Sequence, residues 1–65
     1  MQVVTNQIPR EWPPGTTLAQ ALQAMAFAPP FAVAINLQFV PKTQYEQTAL
    51  NPGDQIEVIS PITGG

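Results

Sequence analysis

The sequence contains no cysteine and no histidine. Without cysteine there is neither a disulfide framework nor a thiolate nucleophile, and without histidine the commonest general base and nitrogen ligand for a metal are missing as well. Charge is also scarce. Two Lys and Arg stand against four Asp and Glu, 9% of the chain where about 25% is usual. The net charge of −2 and a sequence pI of about 4.4 are opposite to a nucleic-acid footprint, so no nucleic-acid partner is expected. No apolar run approaches the roughly eighteen residues of a membrane span. The opening MQVVTNQIPR shows no basic segment followed by an apolar one. The expectation is a soluble, cytoplasmic chain with no membrane contact, in a reducing setting that suits the lack of cysteine.

What is present is enough to fold. At 65 residues the chain can make one domain, and a domain of this size buries about 60% of the surface of its unfolded chain. Hydrophobic residues make up 45%, and eight prolines with four glycines fall short of a low-complexity composition. No internal repeat is visible. With so few charges, partners are expected to be recognised by shape more than by charge.

Met1 to Thr5 alternates weakly, with Met1, Val3 and Thr5 on one face, and reads as a first strand. Ile8 to Trp12 reads as a returning strand after Asn6-Gln7, with Pro9 tolerated on a sheet edge. Thr17 and Gln20 have the T-x-x-Q form of a capping box, and Leu18, Ala21, Leu22 and Met25 follow at helical spacing. A short amphipathic helix of about ten residues is expected to end near Phe27, because Pro29-Pro30 cannot continue it. Phe31, Val33 and Ile35 alternate with Ala32 and Ala34 in the clearest period of two, with the large side chains inward. Leu37 to Val40 reads as a short strand stopped by Pro41, and KTQYEQTA as an irregular surface connection. Asn51-Pro52-Gly53-Asp54 is a turn, after which Ile56 to Ile59 gives a last strand.

This order describes an α+β fold in which one helix covers one face of a mixed four- to five-stranded sheet. One helix cannot cover both faces. The second face is left with Val4, Ala32, Ala34 and Ile59, a flat and apolar set that reads as a partner-binding surface.

Side-chain chemistry has few candidates. Glu11, Glu46, Asp54 and Glu57 are scattered, and Asp54 after a turn glycine is explained by a bond from its carboxylate to backbone. Ser60, the sole serine, has no histidine to deprotonate it. Met25 reads as core, Trp12 as rim packing and Lys42 as a solvated cation. There is no glycine-rich phosphate loop, so the chain is not expected to bind nucleotide by itself. The group that remains is the terminal α-carboxylate. PITGG after Ser60 extends about 16 Å at roughly 3.3 Å per residue, enough to enter a narrow cleft. Glycines at its tip let another protein's backbone approach closely.

AVAINLQFVP, then GDQIEV, then a final Gly-Gly resemble the ThiS family, the small sulfur-carrier proteins of thiamine biosynthesis, along the whole of the chain. The resemblance implies the β-grasp fold of ubiquitin, with a domain over residues 1–60 and a Gly-Gly tail over 61–65. It implies a protein that is not itself an enzyme and holds no cofactor. An adenylyltransferase related to ubiquitin-activating enzymes, using ATP and magnesium, would adenylate the Gly65 carboxylate. With a sulfur donor protein the adenylate would become a thiocarboxylate, and a thiazole synthase would take the sulfur. Gly64 would be the hinge that admits the tail to partner sites, and Ile62 and Ile59 would dock the tail and sheet. Two other readings stay open: a sulfur carrier like the molybdopterin-synthase small subunit, and a ubiquitin-like interaction or modifier protein. One departure is Asn6-Gln7, where similar proteins often have Asn-Gly, and it leaves the geometry of the first turn open.

Overall fold

A computed structural model describes residues 1–60. The elements are β1 (Gln2–Thr5), β2 (Ile8–Glu11), α1 (Leu18–Met25), β3 (Ala32–Ile35), β4 (Gln38–Val40), a 3₁₀ helix (Lys42–Gln47) and β5 (Gln55–Ile59). The five strands form one sheet in the order β2-β1-β5-β3-β4. The central pair β1 and β5 is parallel and the other pairs are antiparallel. This is the β-grasp, ubiquitin-like fold, with the sheet mixed as expected and five strands wide.

Each element follows from local chemistry. Thr17 Oγ1 accepts from the Gln20 N–H at 3.2 Å, and the Gln20 side chain accepts from the Thr17 N–H at 2.9 Å, closing the capping box foreseen from T-x-x-Q. The helix is eight residues rather than about ten. It stops at Ala26, which turns left-handed at φ 57° and donates its N–H to the Gln23 carbonyl, a cap more often built from glycine. Its apolar stripe of Leu18, Ala21 and Leu22 is buried against Val3, Val33, Ile56 and Val58 from the sheet, with Leu50 completing the core. Each fully buried aliphatic side chain contributes about 1.5–3 kcal/mol, and with so few of them a domain of this size is only modestly stable.

Two hairpins turn without glycine. Asn6 and Gln7 take φ 49° and 69°, and Asn36 and Leu37 take 50° and 69°, so both turns have the positive-φ pair of type I′. The geometry that Asn6-Gln7 left open is therefore the ordinary hairpin turn. β2 ends one residue before Trp12, whose N–H still donates to the Met1 carbonyl at 2.8 Å. The stretch expected as an irregular connection is a 3₁₀ helix instead. Its Tyr45 stacks on Phe31 with ring centroids 6.4 Å apart, and Thr48 Oγ1 donates to the Gln44 carbonyl at 2.7 Å. Leu18 N–H to Thr48 and Leu50 N–H to Thr16 tie the end of that helix to the start of α1. A tertiary contact thus orders a run whose sequence is merely polar. The Pro52-Gly53 turn is as read, with Gly53 at φ 85° and Asp54 N–H donating to the Asn51 carbonyl at 3.1 Å.

Candidate partner face and tail exit

The side chains that matter lie where β5 ends. β5 is held by β3 on one side through the pairs Ile35 with Ile56, Val33 with Val58 and Ala32 with Ile59. On its other side β1 pairs only at Val4 and Thr5 before turning away. Asn6 continues the ladder with its side chain. Its Oδ1 accepts from the Val58 N–H at 2.9 Å and its Nδ2 donates to the Val58 carbonyl at 3.4 Å. The turn residue therefore ties the last part of β5 to the end of β1. Asn36 does the same at the opposite end, accepting from the Gln55 N–H at 3.0 Å.

Opposite residues on paired strands share a face. Val33 and Val58 are buried under α1, so Ala32 with Ile59, Ala34 with Glu57 and Ala34 with Phe39 lie on the uncovered face. Val4 is on that face as well, opposite Gln55 on β5 and Pro9 on β2. All four residues expected on the open face are there, but they are not one cluster. Ala32, Ala34 and Ile59 adjoin, while Val4, opposite Gln55, is offset along β5 from Ile59 by four residues at roughly 3.3 Å each, about 13 Å, with Gln55 and Glu57 intervening.

Phe39 escaped the sequence reading. It is 66% exposed and directly opposite Ala34, so the apolar stripe runs from Ile59 across Ala32 and Ala34 to Phe39. The available signal was its alternation with Val40, since a strand that turns Val40 to the core side, opposite Val33, must turn Phe39 outward. Ile59 is 56% exposed. Both are large apolar groups left in water, on a face whose charged residues, Glu57 and Glu11, are acidic. Ile62, Gly64 and Gly65 lie outside the described residues.

The scattered carboxylates stay scattered. Asp54 is buried, accepting at Oδ2 from the Asn51 N–H at 2.8 Å and at Oδ1 from Asn36 Nδ2 at 3.0 Å, which is the backbone role expected of it. Among the described residues no three of His, Cys, Asp and Glu gather as a metal site would need. Partial burial pushes the Tyr45 phenol above its ordinary pKa. No helix is long and apolar enough to cross a membrane among the described residues. Among the described residues the arrangement leaves an uncovered apolar stripe beside the end of β5.

Comparison with known proteins agrees with this geometry. The sequence model of the ThiS family matches residues 3–65. The crystal structure of a thiamine biosynthesis protein (ThiS) from Geobacter metallireducens superposes with a TM-score of 0.84 over 100% of both chains, at 22% identity, a likeness of fold. A thiazole synthase of Paramagnetospirillum magneticum is 50% identical over 34 residues, 52% of this chain. The lincomycin resistance protein LmrB of Bacillus subtilis is 38% identical over 61 residues, 92% of this chain. The chain spans only 10% and 13% of the lengths of those two proteins.

Proposed function

The chain belongs to the ThiS family, and on that premise we propose that it is a sulfur carrier for the thiazole of thiamine, working through its terminal Gly-Gly. One observation carries the reading: the family match runs through Gly65. The likeness of half the chain to part of a protein named thiazole synthase favours thiazole formation over molybdopterin as the destination of the sulfur.

The chemistry belongs to the main-chain end. A Gly65 carboxylate oxygen attacks the α-phosphorus of ATP in an adenylyltransferase related to ubiquitin-activating enzymes, and pyrophosphate leaves. Hydrosulfide released from a donor protein then attacks the acyl carbon, the bond to AMP breaks, and a thiocarboxylate remains. Thiazole synthase takes that sulfur, and an oxygen from water or from the acceptor's carbonyl replaces it on the acyl carbon, restoring the carboxylate. ATP and magnesium belong to the adenylating enzyme, and the sequence of reactions is placed in the cytoplasm. In this proposal the tail follows β5, Gly64 serves close passage and Ile62 docking, and the face around Ile59, Ala32 and Ala34, with Val4 beyond it, serves recognition.

The test is intact-mass measurement after incubation with the adenylating enzyme, ATP, magnesium and a sulfur donor. The protein should gain the mass difference of one oxygen replaced by one sulfur. Deleting Gly65 should abolish the gain while thermal unfolding stays unchanged. No gain with an enzyme that turns over an authentic carrier, or larger conjugates on a denaturing gel in place of the gain, would refute the proposal.

A further inference from the structure

Lys42 stands at the same end of the sheet as the chain exit. β4 runs antiparallel to β3, so the chain leaving Val40, opposite Val33, passes back toward the start of β3 at Ala32. β5 runs the same way on the other side of β3 and ends with Ile59 opposite Ala32. Lys42 and Ser60 therefore flank the segment Pro30-Phe31 from two sides. Lys42 borders a small cavity of about 190 Å³ whose other walls are Pro29, Pro30, Phe31 and Tyr45. Ligand pockets usually hold roughly 300–1,000 Å³. This cavity is too small for a nucleotide and suits one apolar side chain. Among its walls Phe31 is stacked on Tyr45 and lies 6.2 Å from Phe27 between ring centroids.

Among the described residues the charge is isolated. Arg10 is opposite Val3 and the amino terminus contacts Trp12 and Glu11, all toward the other end of the sheet. Glu46 is on the same 3₁₀ helix and Glu57 on the open face, and among the described residues Lys42 makes no ion pair with either. A five-residue tail reaches about 16 Å. Any enzyme that encloses its tip must bring the rim of its cleft against this end of the molecule.

We propose that Lys42 and the cavity beside it form a second contact with the adenylating enzyme, receiving an acidic side chain at the rim of its cleft, next to an apolar side chain that fills the cavity. The inference rests on the carrier function proposed above. It adds a specificity contact separate from the open face. Electrostatic pairing at a rim acts chiefly on association and is screened by salt.

The experiment compares K42Q, K42E and K42R with the wild-type chain. Calorimetric affinity for the adenylating enzyme is measured at low and high salt, and sulfur loading is followed by mass. An exposed ion pair at low salt corresponds to a loss of about two- to fivefold in affinity for K42Q, about tenfold for the charge reversal K42E, and near-complete recovery in K42R. The differences should shrink at high salt, and the loading rate at saturating carrier should stay unchanged. Unaltered affinity in K42E overturns the proposal, and so does tighter binding, which would mean that Lys42 instead restrains the chain's own tail. A wild-type chain that binds the enzyme but gains no sulfur refutes the carrier reading, while the affinity series still decides the Lys42 contact.

Discussion

Asp54 shows how a single side chain can join two turns. Its Oδ2 closes the Asn51-Pro52-Gly53 turn and its Oδ1 takes the Asn36 amide, whose own oxygen holds the Gln55 N–H. The carboxylate is buried, so these donors have little water to turn to if it is removed. Leaving a buried donor unmade costs about 1–3 kcal/mol. Asp54→Ala should therefore lower unfolding stability by about 2–3 kcal/mol in a denaturant titration, and Asp54→Asn, which keeps one acceptor, by roughly half as much. An Asp54→Ala midpoint equal to wild type would show that the network contributes nothing. The backbone role of Asp54 was legible from its place after a turn glycine. Its bond to Asn36 was not, because that partner is eighteen residues away and meets it only through the sheet.

At the scale of elements, the parts that announced themselves are those with local causes. The capping box and the period-two run of β3 depend on neighbours within four residues, and both formed where expected. The 3₁₀ helix was missed because its cause is Phe31 stacking on Tyr45, a contact between separate segments. The first hairpin lies between these cases. Asn6 is irreplaceable there by virtue of its side-chain bonds to Val58, whereas Gln7 has only a backbone to offer and holds it at φ 69°. A left-handed residue with a Cβ costs roughly 1–2 kcal/mol, while glycine loses more chain entropy on folding. Gln7→Gly should thus raise stability by about 0.5–1 kcal/mol, read as a higher denaturant midpoint at unchanged slope. A fall in midpoint would show that Gln7 contributes through its side chain. Asn6→Gly, by contrast, should destabilise, because it removes the bonds that carry β5 past the end of β1.

For the whole molecule, one helix against five strands decides the outcome: a face is left over, and the apolar residues on it lie outside the buried core. Composition and strand alternation were enough to place Val4, Ala32, Ala34 and Ile59 on that face. What alternation could not supply was lateral position, which depends on the parallel β1–β5 register and on the place of β4 at the edge. Those two facts move Val4 away from the stripe and bring Phe39 into it. A ring left 66% exposed beside alanines loses water readily when a flat partner surface covers it, and such aromatic anchors commonly account for 2 kcal/mol or about that in an interface. Phe39→Ala should weaken binding to the adenylating enzyme by about 1–2 kcal/mol, roughly five- to thirtyfold, and slow sulfur loading at low carrier concentration. Val4→Ala should have a smaller effect, because Val4 stands across Gln55 and Glu57 from the stripe. Thermal unfolding of Phe39→Ala should match wild type, since the ring is outside the core. Equal affinity in the two variants would place the recognition surface elsewhere, and a loss in Val4→Ala larger than in Phe39→Ala would put it on the β1–β2 side of the sheet.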